Sequence, residues 1–151
     1  VVAGLGGQGV IKASDILADA VFRAGYDVKK AEVHGMSQRG GSVNSDVRFG
    51  PRVFSPMIPE GEADFLVVLA ADQVETNRNR LRAGGVLIDP SAIDLSALSN
   101  PRTLNVALLG ILSTRLPVEE AHWLAALRAN LPEKILEINL KAFASGRSPV
   151  N

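Results

Sequence analysis

Apolar and polar positions separate most clearly between residues 10 and 24, directly after a glycine-rich turn. Apolar side chains recur there at intervals of one, three and four residues: Val10, Ala13, Leu17, Ala20, Val21 and Ala24. Polar side chains fill the opposite positions: Lys12, Asp15, Asp19 and Arg23. This separation is typical of an amphipathic helix with one face on a core. The apolar residues 1–3 are predicted to end a buried strand, and Gly25 to end the helix.

The rest of the chain alternates short apolar runs with stretches of helical period. Strands are predicted near 28–33, 45–49, 65–70, 86–89 and 102–104. Helices are predicted over 72–82 and 106–115, from Pro117, and from Pro132 to Gly146. Strands joined by helices at these lengths predict one α/β domain over 1–151. Its expected form is an open, mostly parallel, Rossmann-like sheet with helices on both faces, in three layers.

Residues 34–45 follow neither a helical nor a strand period, and they are predicted to form a loop. A structureless loop of this length is uncommon inside a compact domain and is often functional. It offers a titratable ring, a hydroxyl, an amide and a fixed cation at His34, Ser37, Gln38 and Arg39. The alternative is a solvated histidine and an arginine that makes no more than a surface ion pair.

The turn before the first helix has the spacing G-x-G-x-x-G at Gly4, Gly6 and Gly9. A strand, a glycine turn and a helix place free N–H groups at a helix N-terminus, where a phosphate is favoured. One interpretation is therefore a nicotinamide or flavin domain in which Glu32 holds a ribose hydroxyl. The long glycine-rich loop after the second strand counts against it. The other interpretation is that these glycines only permit a tight turn and close helix–sheet contact.

The composition of the chain argues against several classes of binding partner and bound group. With 16 basic and 16 acidic side chains in 151 residues, a net charge of 0 argues against general nucleic-acid or anionic-membrane binding. The chain has no cysteine, so it supplies no thiolate ligand for an iron–sulfur cluster. No apolar run reaches the ~18 residues of a membrane span, and we expect a cytoplasmic protein. Metal-binding and nucleotide-hydrolysis motifs are not found, so no metal site is predicted.

Two glycine-rich motifs together carry a family resemblance. Segment 4–10 (GLGGQGV), segment 32–43 (EVHGMSQRGGSV) and segment 47–50 (VRFG) resemble the gamma-type domain of 2-oxoacid:ferredoxin oxidoreductases. The second segment is most similar to the beta subunit of the indolepyruvate-type enzymes. Weaker similarity continues at residues 61–64, at Asn105 and 109–110, and at Asn139, 142–143 and Gly146. The chain departs from the family at 93–102, where a longer connection is expected.

The resemblance implies a reaction and a division of labour between subunits. The reaction is the oxidative decarboxylation of a 2-oxoacid, here an arylpyruvate, to an acyl-coenzyme A with ferredoxin as electron acceptor. Thiamine diphosphate, magnesium and the iron–sulfur clusters are expected on an alpha subunit, and coenzyme A is a co-substrate. Alone, the present chain is expected to be inactive, and no cofactor is assigned to it alone; with the partner it could receive the anionic end of coenzyme A.

Candidate site residues follow from the two motifs and the resemblance. Gly6, Gly7, Gln8 and Gly9 are predicted to contact a cofactor, together with Ser37, Gln38 and Gly40. His34 and Arg39 are predicted to be catalytic, because a ring can exchange a proton and a guanidinium fork matches carboxylate or phosphate. The turn and the loop are expected to meet outside the carboxyl ends of the strands. The alternatives are that the loop only forms a subunit interface, or that the chain is a structural adaptor.

Overall fold

The computed structural model describes residues 1–34 and 41–148, with His34 described by its backbone alone. Its strands are β1 (Val2–Leu5), β2 (Asp27–His34), β3 (Ser42–Gly50), β4 (Ala63–Val68) and β5 (Leu81–Ile88). Its α-helices are α1 (Val10–Arg23), α2 (Val74–Asn77), α3 (Leu104–Ser113), α4 (Glu120–Asn130) and α5 (Glu133–Arg147). No helix in these described ranges is long and apolar enough to cross a membrane.

The five strands form one mixed sheet in the order β2-β3-β1-β4-β5. β1 pairs in parallel with β4, and β4 with β5, while β3 runs antiparallel to both of its neighbours. β2 therefore runs in the same direction as β1, and four strands end at the same edge of the sheet. The predicted open, Rossmann-like α/β fold is confirmed. The sheet is mixed because the chain returns from β2 through a hairpin to β3.

The two faces of the sheet are covered unevenly. Successive side chains of a strand point to opposite faces, and Val2 joins the large core while its neighbours Val1 and Ala3 join a smaller one. The large core contains side chains of α1, α3, α4 and α5. The smaller core contains Val74 of the short helix α2 and Ile58. The three layers are thus a thick helical layer, the sheet, and a thin layer of α2 and an extended segment.

Strand β3 begins three residues earlier than predicted, which shortens the predicted loop. Residues 42–45 belong to β3, because all four pair with β1 and residues 43–45 also pair with β2. Ser45 is fully buried in this strand and Asp46 is 4% exposed. The connection between β2 and β3 is therefore residues 35–41, rather than the predicted loop over 34–45.

The single helix predicted over 72–82 is wrong. The chain instead makes the one-turn helix α2 between two 3-10 turns, Ala71–Gln73 and Arg78–Arg80, and enters β5 at Leu81. Of α2, Val74 and Asn77 are buried, which leaves little apolar surface to hold a longer helix. Gly84 and Gly85, which follow the predicted helix, lie within β5, where Gly84 has a φ of 77°.

The strand predicted at 102–104 is also wrong. Pro101–Thr103 forms a 3-10 turn that leads into α3. Its start is capped by the Asn100 Oδ1, which accepts a hydrogen bond from the Arg102 N–H at 2.9 Å. Proline at the first helical position favours this turn over a strand, because its φ is already helical.

A buried ion pair ties the thin layer to the sheet. Arg80 Nη2 donates to both carboxylate oxygens of Asp46, at 2.8 and 2.7 Å, and to the Ile58 carbonyl at 3.2 Å. The Ile58 N–H donates back to Asp46 Oδ2 at 3.2 Å. The Arg80 and Asp46 side chains are 19% and 6% exposed. The Asp46 carboxylate of β3 therefore bonds both to the extended segment, at Ile58, and to Arg80, the residue before β5.

Helices α3 and α5 cross in backbone contact at two glycines. A Cβ on Gly146 would overlap the Ala107 carbonyl oxygen, and a Cβ on Gly110 would overlap the Phe143 carbonyl oxygen. The two helices therefore approach as closely as their backbones permit.

Candidate functional site

The glycine turn is held rigidly by the side chain of Gln8. Its Oε1 accepts from the Leu5 N–H at 2.7 Å, and its Nε2 donates to the Leu69 carbonyl at 3.4 Å. These two bonds join the turn to the ends of β1 and β4. Gly7 and Gly9 have φ values of 88° and 83°, in the left-handed region that glycine tolerates. The predicted contact residue Gln8 therefore shapes the turn in this structure.

The turn lies beside the hairpin that carries the second motif. The Gly6 N–H donates to the Gly41 carbonyl at 2.8 Å, and Leu5 pairs with Ser42 in the sheet. The backbone of His34 pairs with Val43 across the hairpin. The described ends of the second motif thus meet the turn at the carboxyl edge. The side chain of His34 and the candidates Ser37, Gln38, Arg39 and Gly40 lie outside the described residues.

Two helix N-termini converge at this edge. Asn105, in the first turn of α3 and 7% exposed, donates from Nδ2 to the Gly9 carbonyl at 3.2 Å. Its Oδ1 accepts from the Val106 N–H at 2.9 Å. A Cβ on Gly9 would lie 2.5 Å from Asn105 Nδ2, so this approach also requires glycine. Asn105 thereby joins the start of α3 to the start of α1.

An open cleft of about 790 Å³ lies between these helix starts and the α4–α5 junction. Its walls include the turn residues Gly7, Gln8 and Gly9, the cations Lys12 and Arg102, and the amides Asn105 and Asn139. Lys12 Nζ donates to the Asn130 carbonyl at 3.1 Å across the cleft. At α3 the N–H groups of Leu104 and Val106 already donate to the Pro101 carbonyl and to Asn105 Oδ1. The first N–H groups of α1 have no partner within that helix, and they carry partial positive charge. The cleft is therefore suited to an anionic ligand.

Lys12 and Arg102 were not predicted as site residues. A local motif does not reveal them, because they lie far apart in the sequence and meet only through the packing of α3 against α1. The available signal for Lys12 was its place in the first helical turn, three residues after Gly9. Asn105 and Asn139 were noted only as positions of weaker family similarity, and the structure places both on the cleft wall.

Comparison with known proteins decides the family. Residues 1–92, which contain the glycine turn and the hairpin, match the family model described as pyruvate ferredoxin/flavodoxin oxidoreductase. The chain belongs to this family. The match ends at Ala92, directly before the stretch that departs from the expected pattern.

Relatives within the pyruvate ferredoxin/flavodoxin oxidoreductase family match along nearly the whole chain. The indolepyruvate oxidoreductase subunit IorB of Thermococcus kodakarensis is 34% identical over 188 positions, covering 97% of this chain and 92% of the relative. The subunit of the same name from Pyrococcus horikoshii is equally similar, with the same coverage. An alignment of 188 positions is longer than the 151 residues of this chain. The relatives therefore contain internal segments that this chain lacks.

Solved structures of the family share the fold. The keto/oxoacid ferredoxin oxidoreductase gamma subunit from Geobacter sulfurreducens superposes with a TM-score of 0.78 at 23% identity, covering 96% of this chain and 93% of the other. The 2-oxoglutarate:ferredoxin oxidoreductase from Magnetococcus marinus gives 0.80 at 22% identity, with 97% of this chain and 29% of the other covered. That structure contains 2-oxoglutarate, coenzyme A and succinyl-coenzyme A.

These findings favour the 2-oxoacid oxidoreductase interpretation over a nicotinamide or flavin domain. The dinucleotide interpretation also required Glu32 to bind a ribose hydroxyl, but its carboxylate is hydrogen-bonded to a lysine. Glu32 Oε1 accepts from Lys30 Nζ at 2.7 Å, and Lys30 also pairs with Asp15 of α1 at 2.5 Å. The Glu32 side chain thus lies on the α1 face of β2, in an ion-pair network.

Proposed function

We propose that this chain is the thiamine-free subunit of a ferredoxin-dependent 2-oxoacid oxidoreductase that acts on arylpyruvates. The observation that carries the proposal is the nearly full-length similarity to indolepyruvate oxidoreductase subunits. The chain has no cysteine, so clusters held by four thiolates must be ligated by another subunit. Thiamine diphosphate on that subunit supplies the carbanion chemistry that releases carbon dioxide from the 2-oxoacid.

The contribution of this chain is to bind and orient the anionic end of coenzyme A. The cleft beside the glycine turn combines the α1 N-terminus with two cations, Lys12 and Arg102. A phosphate there accepts hydrogen bonds from backbone N–H groups and faces positive charge. The buried Asn139 adds an amide to the wall.

The second motif is proposed to complete the active centre of the partner. Arg39 is the candidate for contact with a carboxylate or phosphate, and His34 for orienting a group or exchanging a proton. Ser37, Gln38 and Gly40 accompany them as contact residues. The support is the Gly6–Gly41 hydrogen bond, which brings an end of this motif to the glycine turn. A loop that serves only as a subunit interface remains the competing proposal.

Substituting Lys12 with alanine is expected to raise KM for coenzyme A about 10-fold while kcat changes less than 2-fold. The reason is that a charge-assisted hydrogen bond to a ground-state phosphate is worth about 1.5 kcal/mol, and it acts equally on substrate and transition state. The measurement is steady-state turnover of the assembled enzyme with varied coenzyme A. Lys141→Ala is the matched control, because that lysine is 73% exposed on α5 and pairs with Glu137. An equal KM in both variants would contradict the cleft assignment.

The test of the proposed function is reconstitution. The chain is co-expressed with its thiamine-bearing partner subunit, and reduction of a viologen dye is followed anaerobically with arylpyruvate and coenzyme A. Turnover that needs both chains is the expected result. A stable complex without turnover on any 2-oxoacid would favour the interface role. Failure to bind the partner, with tight NAD(H) or flavin binding by the lone chain, would overturn the proposal.

A further inference from the structure

The extended segment on the thin face of the sheet presents an unusual outer surface. We call the residues Arg52–Met57, together with Lys29 and Arg48 beneath them, the docking ledge. Within it, Phe54 is 83% exposed and Met57 is 59% exposed. Exposed large apolar side chains on an ordered surface often mark an interaction site.

Hydrogen bonds join both ends of the ledge segment to the sheet. The Val53 N–H donates to Asp27 Oδ2 at 2.8 Å, and Arg48 Nη1 donates to the Met57 carbonyl at 3.1 Å. Val53 is buried at 7% exposure, and Ile58 packs against the smaller core. Phe54 and Met57 thus point outward because their neighbours point inward. Little conformational entropy remains to be lost when a partner covers such a fixed segment.

The chemistry of the ledge matches that of protein interfaces. Aromatic residues, methionine and arginine are enriched at interface cores, and lysine and glutamate are depleted. Arg52 lies over the ring of Phe54, with its guanidinium carbon 5.9 Å from the ring centroid. That contact places a cation beside the apolar anchor.

The ledge carries a positive excess. Lys29 and Arg48 lie directly opposite each other on β2 and β3, an arrangement that is destabilising for like charges. With Arg52 they make three cations against one carboxylate, Asp27. The hydrogen bond from Val53 lowers the pKa of Asp27, and nearby Lys29 and Arg52 act in the same direction. Acidic groups on a partner would relieve the repulsion between the cations.

We propose that the docking ledge binds the thiamine-bearing partner subunit, at an apolar pocket with an acidic rim. This inference rests on the proposed function, which requires such a partner. A second copy of this chain fits less well, because a two-fold interface would set the same cations against each other. Phe54 is the central anchor, Met57 widens the apolar contact, and the three cations face the acidic rim.

The test compares two exposed phenylalanines on opposite faces of the sheet. Phe54→Asp is expected to weaken binding of the purified partner subunit at least about 30-fold, as for an interface anchor. Phe22→Asp is the matched control, because Phe22 is 66% exposed at the end of α1, and no change is expected. Arg52→Ala should reduce the salt dependence of the association rate. Binding is measured by sedimentation, and folding of each variant by its unfolding midpoint.

The possible results distinguish failure of the docking-ledge proposal from failure of the proposed function. Wild-type affinity in Phe54→Asp would overturn the docking ledge and leave the proposed function intact. Equal weakening in both phenylalanine variants would also overturn it, since the effect would not be local. A wild-type dimer that Phe54→Asp converts to a monomer would assign the ledge to a second copy instead. Failure of the wild-type chain to bind the partner would overturn the proposed function itself.

Discussion

Gly146→Ala is expected to lower the free energy of unfolding by about 3 kcal/mol, the upper range for overpacking. The new Cβ would overlap the Ala107 carbonyl oxygen of α3, and a backbone atom cannot rotate away. Helix α5 must therefore move outward, which loosens Phe143, a side chain 1% exposed in the main core. The better helix propensity of alanine, worth about 1 kcal/mol, offsets only part of this cost. Urea unfolding followed by circular dichroism gives the measurement.

Gly50→Ala is the control for this substitution. Gly50 ends β3 with open space around its Cα, and its backbone is not in the left-handed region. Alanine there should be neutral or stabilise by about 0.5 kcal/mol, through the unfolded state. Comparable losses at both glycines would contradict the assignment of the α3–α5 contact as the cause.

Arg80→Ala is expected to cost about 3 to 5 kcal/mol, the range for breaking a buried ion pair. The substitution leaves the carboxylate of Asp46, 6% exposed, without its cation. It also removes the donor to the Ile58 carbonyl, so the extended segment loses part of its attachment to the sheet. The measurement is again the free energy of unfolding in urea.

Arg78→Ala supplies the matched comparison two residues away. Arg78 pairs with Glu75 at 2.8 Å, but the two side chains are 53% and 80% exposed. An exposed pair contributes little to stability because water screens it, so this variant should unfold almost as the wild type does. In addition, Asp46→Asn in the Arg80→Ala background should recover part of the loss, because it removes the unpaired charge. A fully additive double variant would show that the pair is not the origin of the effect.

Local patterns predicted the elements that a single stretch of sequence specifies. The turn and α1 were predicted because the Val10–Ala24 period is unbroken and Gly25 follows it. The start of β3 at residues 42–44 was missed, since it follows directly on a glycine-rich stretch and only its pairing with β1 makes it a strand. The start of β5 was missed because Gly84 and Gly85 favour a break in sequence, whereas β5 accommodates them in a register shift against β4.

The candidate site could be predicted only in part, because local sequence marks the glycine turn but not the other residues of the cleft. The glycine turn has a sequence motif, and the structure places it at the expected edge of the sheet. Lys12, Arg102 and Asn105 share a cleft only because the start of α3 packs against the start of α1, where Asn105 Nδ2 donates to the Gly9 carbonyl. Their separation in sequence leaves no local pattern. The roles of His34 and Arg39 remain predictions, since the structure does not describe those side chains.

The strand order also determines which backbone groups of the sheet are open to pairing with other chains. In the described sheet β2 and β5 are the outer strands, and an outer strand offers backbone groups to other chains. β2 carries Lys29, whose charge opposes pairing between copies. β5 carries the left-handed Gly84 and a register irregularity, which disturb the regular edge that a second strand would need. Replacing these features is expected to leave both outer strands more open to edge-to-edge pairing with other chains.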